Sequence, residues 1–291
     1  MIQKLKKLFA YLGFFPNEIK FHGMHFDKIK SSKILQEFYK NKDSEIEMFI
    51  LIEGLDFKSM IDAGAYFGYY SIYFDKLKNN SNVIAFEADK DNFKRLEYFI
   101  KLNSSKVLAF NKAVGGRNVK VDFFKPNYKN ITKYPAHGQV GDPALEEANL
   151  YKDKKFQKET IEMLSLGEIL NEFAMGQTLI KLDIEGKEKE SLYSINSELK
   201  KRSDLDFIVE LLINDHNSID IFNLMRSCGY DAYLITNAGL VAENDRPLIL
   251  PKPNVSPKNQ KLRTVWKNHF FTKRSNSEIK KLNLSKFGYN I

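Results

Sequence analysis

One cysteine, Cys228, is all the sequence holds, so no disulfide can form within the chain. That scarcity suits a reducing cytosol. Long apolar runs are also missing: nothing approaches the ~18–20 residues that a membrane-spanning helix needs. The N-terminus is basic and apolar, with Lys4, Lys6 and Lys7, but it offers no small-residue cleavage site. A signal peptide is therefore not expected. The expected location is the cytoplasm, with peripheral membrane contact through residues 1–15 left open. Internal repeats are absent, and so are low-complexity tracts beyond a general richness in Lys and Asn.

Acids are scarce in one region. Between Lys252 and Ile291, Glu278 stands alone against ten Lys and Arg, so this stretch carries +9 while the whole chain carries +8. The remainder is left at about −1. A basic tail can meet an acidic substrate, an anionic membrane or nucleic acid, and an ordinary solvated tail has the same composition.

What is present is enough for a sizeable core: 43% hydrophobic residues and 13% aromatics in 291 residues, as one large domain or two small ones. Residues 1–57 read as a helical flank or lid, with apolar residues at helical spacing over Ile34–Tyr39 and Ile46–Leu55. From Lys58 onward strands and helices alternate. Expected strands are Met60–Asp62, Val83–Glu87, Val107–Phe110, Thr178–Ile184 and Phe207–Leu212. Expected helices are Tyr69–Leu77, Asp91–Leu102, Leu166–Phe173, Gly186–Ile195 and Ile219–Ser227. Gly115-Gly116 reads as a hairpin turn into Val119–Phe124, and Ala232–Ile235 with Leu240–Ala242 as a final strand pair. Residues 125–158 interrupt the rhythm with Pro126, Pro135, Gly138, Gly141 and Pro143, as a substrate-side binding loop would. Prolines at 247, 251, 253 and 257 mark the exit from the core near residue 250 and the start of the basic tail.

Such alternation implies an α/β domain with a mainly parallel sheet and helices on both faces. Ligands in these sheets bind beyond the carboxyl ends of the strands, at the switch in strand order. That rule puts Asp62, Glu87, Asn111 and Asp183 on one rim.

The organising stretch is Asp62-Ala-Gly-Ala-Tyr-Phe-Gly68, a strand ending in an acid, then a glycine turn, then a helix. Glycines there let a ligand approach bare backbone at a helix N-terminus. Glu87 ends the second strand, where a carboxylate can accept both hydroxyls of a ribose. A dinucleotide needs G-x-G-x-x-G, but Tyr66 fills the place of the second glycine and no P-loop lysine follows Gly68. Asp62 also disfavours a phosphate-rich ligand. S-adenosylmethionine fits better, having a ribose, an ammonium and a sulfonium but no phosphate. An NAD-dependent oxidoreductase and a non-enzymatic module using the basic tail are the alternatives.

These segments resemble the FkbM family of S-adenosylmethionine-dependent methyltransferases. The resemblance rests on Asp62-Ala-Gly-Ala-Tyr-Phe-Gly-Tyr-Tyr-Ser71, Ala85-Phe-Glu-Ala-Asp-Lys-Asp-Asn-Phe93, Asn111-Lys-Ala-Val-Gly115, Ile180-Lys-Leu-Asp-Ile-Glu-Gly-Lys-Glu188 and Val209-Glu-Leu211. It spans roughly Ser59 to Ala242; Tyr66, Ala88 and Lys90 depart from the usual pattern. It implies a Rossmann-like seven-stranded methyltransferase domain over 58–250. The cofactor contacts it implies are Asp62, Gly64, Ala65, Tyr66 and Gly68 from the first turn. Glu87, Ala88, Asn111, Ala113 and Asp183 follow from the later ones. The implied activity is O-methylation, commonly of a sugar, glycan or polyketide hydroxyl; a sugar, nucleotide sugar or glycan is the expected acceptor.

A sugar hydroxyl is a poor nucleophile until a base takes its proton. Asp183 is the expected base or acceptor-orienting group, with Glu185 in support, Lys181 holding a neighbouring carboxylate, and Glu210 and His137 as further candidates. No metal is assigned; Mg²⁺ held by Asp183, Glu185, Glu210, Asp215 and His216 is the alternative. The expected partner is a small-molecule or glycan acceptor, and the two basic termini would suit an anionic one. Nucleic acid is not the expected partner, and oligomeric state is open.

Overall fold

A computed structural model of the chain describes residues 18–21, 23–27, 46–78, 81–126, 139–140, 156–212, 216–236, 239–243, 266–280 and 282. The N-terminal flank opens with an antiparallel hairpin, β1 (Glu18–Phe21) and β2 (Met24–Asp27), turned at Gly23 with φ +76°. Helix α1 (Ile46–Gly54) follows, with Met48 to Ile52 all buried. The helical reading of residues 1–57 therefore holds for Ile46–Leu55 only in part of the flank. The hairpin corrects the rest that can be compared, and Ile34–Tyr39 lies outside the described residues. Alternation of Met24 and Phe26 toward the core selects the strand: both are fully buried, and Phe26 meets Phe99 edge-on at 5.0 Å.

The main sheet contains β3 (Ser59–Ala63), β4 (Asn82–Phe86), β5 (Leu108–Phe110), β10 (Thr178–Leu182), β11 (Leu205–Leu212), β12 (Asp231–Thr236), β13 (Gly239–Glu243) and β14 (Trp266–Thr272). Their order is β13-β12-β14-β11-β10-β3-β4-β5. The five strands from β11 to β5 are parallel, and β14 runs antiparallel to both β11 and β12. The helices are α2 (Tyr69–Leu77), α3 (Lys90–Leu102), α4 (Leu166–Phe173), α5 (Glu188–Ser194), α6 (Asn196–Lys201), α7 (His216–Ser227) and α8 (Asn276–Lys280). Buried apolar clusters fill both faces of the sheet, one around Phe67, Phe74 and Phe99, the other around Phe86, Phe207 and Phe222.

Two expectations are corrected here. Among the described residues the sheet has eight strands rather than seven, and the stretch beyond residue 250 is more than a tail. Trp266–Thr272 returns and inserts as β14, with Phe270 and Phe271 fully buried on opposite faces. The flanking lysines and prolines conceal a short aromatic strand. Arg274 then pins the return: it ion-pairs with the fully buried Asp206 at 2.7 Å and lies over the Phe57 ring at 5.0 Å.

A second sheet, ordered β6-β9-β7-β8, comprises β6 (Ala113–Gly115), β7 (Val119–Pro126), β8 (Gln139–Val140) and β9 (Phe156–Ser165). The expected hairpin at Gly115-Gly116 does not form: β6 pairs parallel to β9, and β7 pairs antiparallel to β9. The interruption at 125–158 is bounded by β7 and β9, and most of it lies outside the described residues. Among the described residues, no helix is long and apolar enough to cross a membrane.

The chain leaves β3 for β4 on one side and later returns to β10 on the other. The switch in strand order therefore falls between β3 and β10, and their carboxyl ends open a crevice.

Candidate active site

A cavity of about 270 Å³ occupies that crevice. Its wall takes Gly64, Ala65 and Tyr66 from the turn after β3, Glu87 to Asp89 from the loop after β4, and Asp183 to Glu185 from the loop after β10. Lys181 and Glu210 reach it from within their strands, and Ala113, Phe123 and Val140 close it from the second sheet. Of the expected residues, Asp62, Gly68 and Asn111 stand behind this wall. His137 and Asp215 lie outside the described residues, and His216 is exposed on α7.

The glycines serve packing. Gly64 has φ +80°, and a Cβ there would stand 1.8 Å from the Asp183 carbonyl oxygen. The close approach of β3's end to the β10 loop requires the missing side chain. Gly68, also at φ +80°, would collide with Leu96. Contacts within the protein thus require both glycines, and Gly64 also lines the cavity.

Glu87 is 7% exposed and organises two loops at once. Its Oε2 accepts from the Tyr66 backbone N–H and its Oε1 from the Asp89 backbone N–H, both at 2.8 Å. Burial pushes the carboxyl up to about 8, against the pull of those two donors. Asn111 donates its side-chain amide to the carbonyls of Glu87 and Ala88 at 2.8 and 3.0 Å, so it fixes the loop from behind. Asp89 caps α3 by accepting from Asp91 and Asn92. Lys125 of β7 bridges Asp89, Asp91 and Glu159 at 3.8, 3.2 and 2.9 Å, tying the second sheet to this loop.

The loop after β10 repeats the device. Glu188 is buried at the start of α5 and accepts from the backbone N–H groups of Ile184 and Gly186, both at 2.9 Å. Burial raises it to about 7. The loop so held places Glu185 at φ +52° and Gly186 at φ +98°. Glu185 faces the cavity, whereas Glu188 is a brace.

The acidic end of the cavity is built on strand register. Lys181 of β10 stands beside Asp62 of β3 and Ile208 of β11. Two residues further on the same face come Asp183 and Glu210. Lys181 Nζ reaches Asp183 Oδ2 at 2.8 Å and lies over the Tyr70 ring at 5.5 Å. Burial pulls the Lys181 ammonium down, but Asp183, Asp62 and Glu210 together raise it above its ordinary value. Asp62 is fully buried and accepts from the Ser71 hydroxyl through Oδ2, while Oδ1 has no hydrogen-bond partner among the described residues. Burial raises Asp62, opposed by Lys181 and Ser71. Burial also lifts Glu210 well above the usual carboxylate range, and Asp183 adds to that.

Sequence reasoning missed several wall residues. Tyr69 and Tyr70 follow the glycine turn directly, and that adjacency was a usable signal. Phe123 and Val140 come together only through the β7–β8 pairing and left none.

The arrangement fits S-adenosylmethionine. A carboxylate carries about four lone-pair sites, so Glu87 retains acceptor capacity for ribose hydroxyls beyond its two backbone bonds. Phe86, Ala88, Ala113 and Phe123 beside it offer an apolar seat for a base, and the acidic end suits an ammonium. For Mg²⁺ the geometry offers less. The Lys181 ammonium sits on Asp183, and no group of three or more His, Cys, Asp or Glu side chains is placed to hold a metal among the described residues.

Comparison with known proteins follows the same line. No curated protein matches the sequence. Among solved structures, precorrin-6y C5,15-methyltransferase from Geobacter metallireducens is 11% identical, with 79% of this chain and 88% of that one covered and a TM-score of 0.41. TYW2 from M. jannaschii, solved in complex with AdoMet, is 10% identical, with coverage of 88% and 84% and a TM-score of 0.38. Overlaps this loose carry no argument about the acceptor. The model of the methyltransferase FkbM domain, in contrast, matches residues 62–232, from the end of β3 through β11 and so across every loop lining the cavity. On that match, which spans more than half its length, the chain belongs to the FkbM methyltransferase family, and its methyl donor is S-adenosylmethionine.

Proposed function

We propose that the enzyme O-methylates a hydroxyl of a sugar, nucleotide sugar or glycan, with Asp183 as the base. The observation that carries this reading is the Lys181–Asp183 pair in the cavity wall. Lys181 is 4% exposed and held, while Asp183 keeps 33% of its side chain open. One carboxylate oxygen is thus fixed by a buried ammonium, and the group as a whole stays accessible to a proton donor.

Bound in this cavity, S-adenosylmethionine supplies an electrophilic methyl carbon. The chain's own residues hold the acceptor oxygen in line and take its proton. Orientation of that kind removes up to ~7–11 kcal/mol of barrier in favourable cases. Proton removal by a placed base adds ~10²–10⁴-fold. Glu185, on the strained loop beside Asp183, supports the acceptor. Tyr66, Tyr69 and Tyr70 add aromatic surface to the cavity wall, of the kind against which a sugar ring packs.

The basic residues of the C-terminal stretch support an anionic acceptor, such as a nucleotide sugar, and the single cysteine supports action in the cytoplasm. The test is methyl transfer from labelled cofactor to a panel of nucleotide sugars and neutral sugars, with and without chelator, across salt concentrations. Labelled nucleotide sugar, insensitive to chelator and suppressed by salt, is the expected result. Transfer only to non-hydroxyl acceptors overturns the reading.

A further inference from the structure

We propose that Glu210 is the positioning residue of the base: as a neutral acid it hydrogen-bonds to Asp183 and holds that carboxylate toward the acceptor. The inference deepens the proposed O-methylation and rests on it for the role of Asp183, though not for the pairing itself.

Three observations carry it. Parallel register sets Leu182 of β10 beside Val209 of β11, so Asp183 and Glu210 continue as neighbours at the carboxyl end. Both side chains line the same cavity, and Asp183 is close enough to raise the Glu210 carboxyl. Two carboxylates in contact hold one proton between them, because a second negative charge in a desolvated site is too costly.

The remaining groups around Glu210 decide which partner keeps the proton. Lys181 reaches Asp183 at 2.8 Å and stabilises the negative charge there. Burial first, then Asp183, favours the neutral form of Glu210, with Glu185 adding to this and Lys181 opposing it. Asp62 stands beyond Lys181 in the same row. On the other side β14 presents Asn268, which carries no charge. The proton therefore resides on Glu210 and the charge on Asp183. When the acceptor hydroxyl gives up its proton, Asp183 receives it, and the pair holds two protons until one is released to solvent.

The pairing is tested without any acceptor, by infrared difference spectra of the protein between mildly acidic and alkaline solution. The wild type should show the carbonyl band of a protonated acid at neutral pH that Glu210→Gln removes. Asp183→Asn should move the midpoint of that band to lower pH, because the neighbouring negative charge is gone. Superimposable wild-type and Glu210→Gln spectra at neutral pH overturn the proposal. So does an unchanged midpoint in Asp183→Asn, a measurement independent of how Glu210→Gln folds. The positioning role is read on whichever panel sugar accepts the label: Glu210→Ala should turn over about tenfold or more below Glu210→Gln, which keeps a neutral hydrogen-bonding group. Equal losses in the two variants overturn it. Failure of every panel acceptor sinks the sugar reading alone, and the infrared result still decides the pairing.

Discussion

The backbone N–H of Tyr66 donates to Glu87 Oε2 at 2.8 Å, which joins the turn after β3 to the loop after β4 across the cavity. Tyr66 accepts φ +53° to make that bond. The bulky residue in place of a dinucleotide fold's glycine is thus part of the cavity wall.

Glu87 makes stability depend on pH in a stated direction. Its carboxyl is raised from 4.5 to about 8 in the folded chain, so between those values the folded form binds more protons than the unfolded one. Its contribution is full below the lower value and is lost as pH rises through the upper one. Glu188 acts in the same direction, from 4.5 to about 7. Melting temperatures of the cofactor-free protein should therefore fall as pH rises through this window. In Glu87→Gln the fall should be shallower; a slope identical to the wild type contradicts the assignment.

Gly64→Ala should damage the fold and the site together. The new Cβ would lie 1.8 Å from the Asp183 carbonyl, and φ +80° alone costs an alanine about 1–3 kcal/mol. A chemical denaturation curve should show at least that loss, with Asp183 displaced and turnover falling more than stability predicts. A variant as stable and active as the wild type would show that β3 and the β10 loop do not meet this closely.

Lys181→Met should be strongly destabilising. It leaves Asp183 without its ammonium and Asp62 without the charge that offsets its burial. Removing one member of a buried ion pair typically costs ~3–5 kcal/mol. Ser71→Ala, which removes the hydroxyl donor to Asp62, should cost less, about 1–3 kcal/mol. Thermal melts of the two variants rank these losses, and the reverse order would refute the register-built charge row.

Truncation after residue 251 should unfold the protein. The removed segment contains β14, flanked by β11 and β12, and Arg274, the ionic partner of buried Asp206. Circular dichroism and proteolysis check this. A folded, protease-resistant truncation product would mean that β14 is dispensable.

Much of this was readable in the sequence because the relevant signals are local. The Asp62 turn, the acid after β4 and the Asp183 loop each lie at a strand end, where apolar runs stop abruptly. Their roles were less readable. Asn111 braces carbonyls and Gly64 clears space for a peptide, and both depend on what another strand brings near. β14 was hidden because its neighbours in the sheet are far away in sequence and its surroundings are basic. The pairing of β9 with β6 and β7 was hidden for the same reason, since nonlocal register leaves little trace in composition. Glu210 was visible as an acid near a strand end, but its place beside Asp183 needed the parallel register.

The most direct measurement is calorimetric titration of S-adenosylmethionine into the wild type and Glu87→Ala. Above about pH 8, where Glu87 is ionised, a hydrogen bond to it is worth about 1.5–3 kcal/mol, so affinity there should fall roughly ten- to hundredfold in the variant. Wild-type affinity should also tighten as pH rises toward about 8, where Glu87 ionises and becomes the better acceptor. Equal affinity of the two proteins at every pH would contradict the grip of Glu87 on the cofactor.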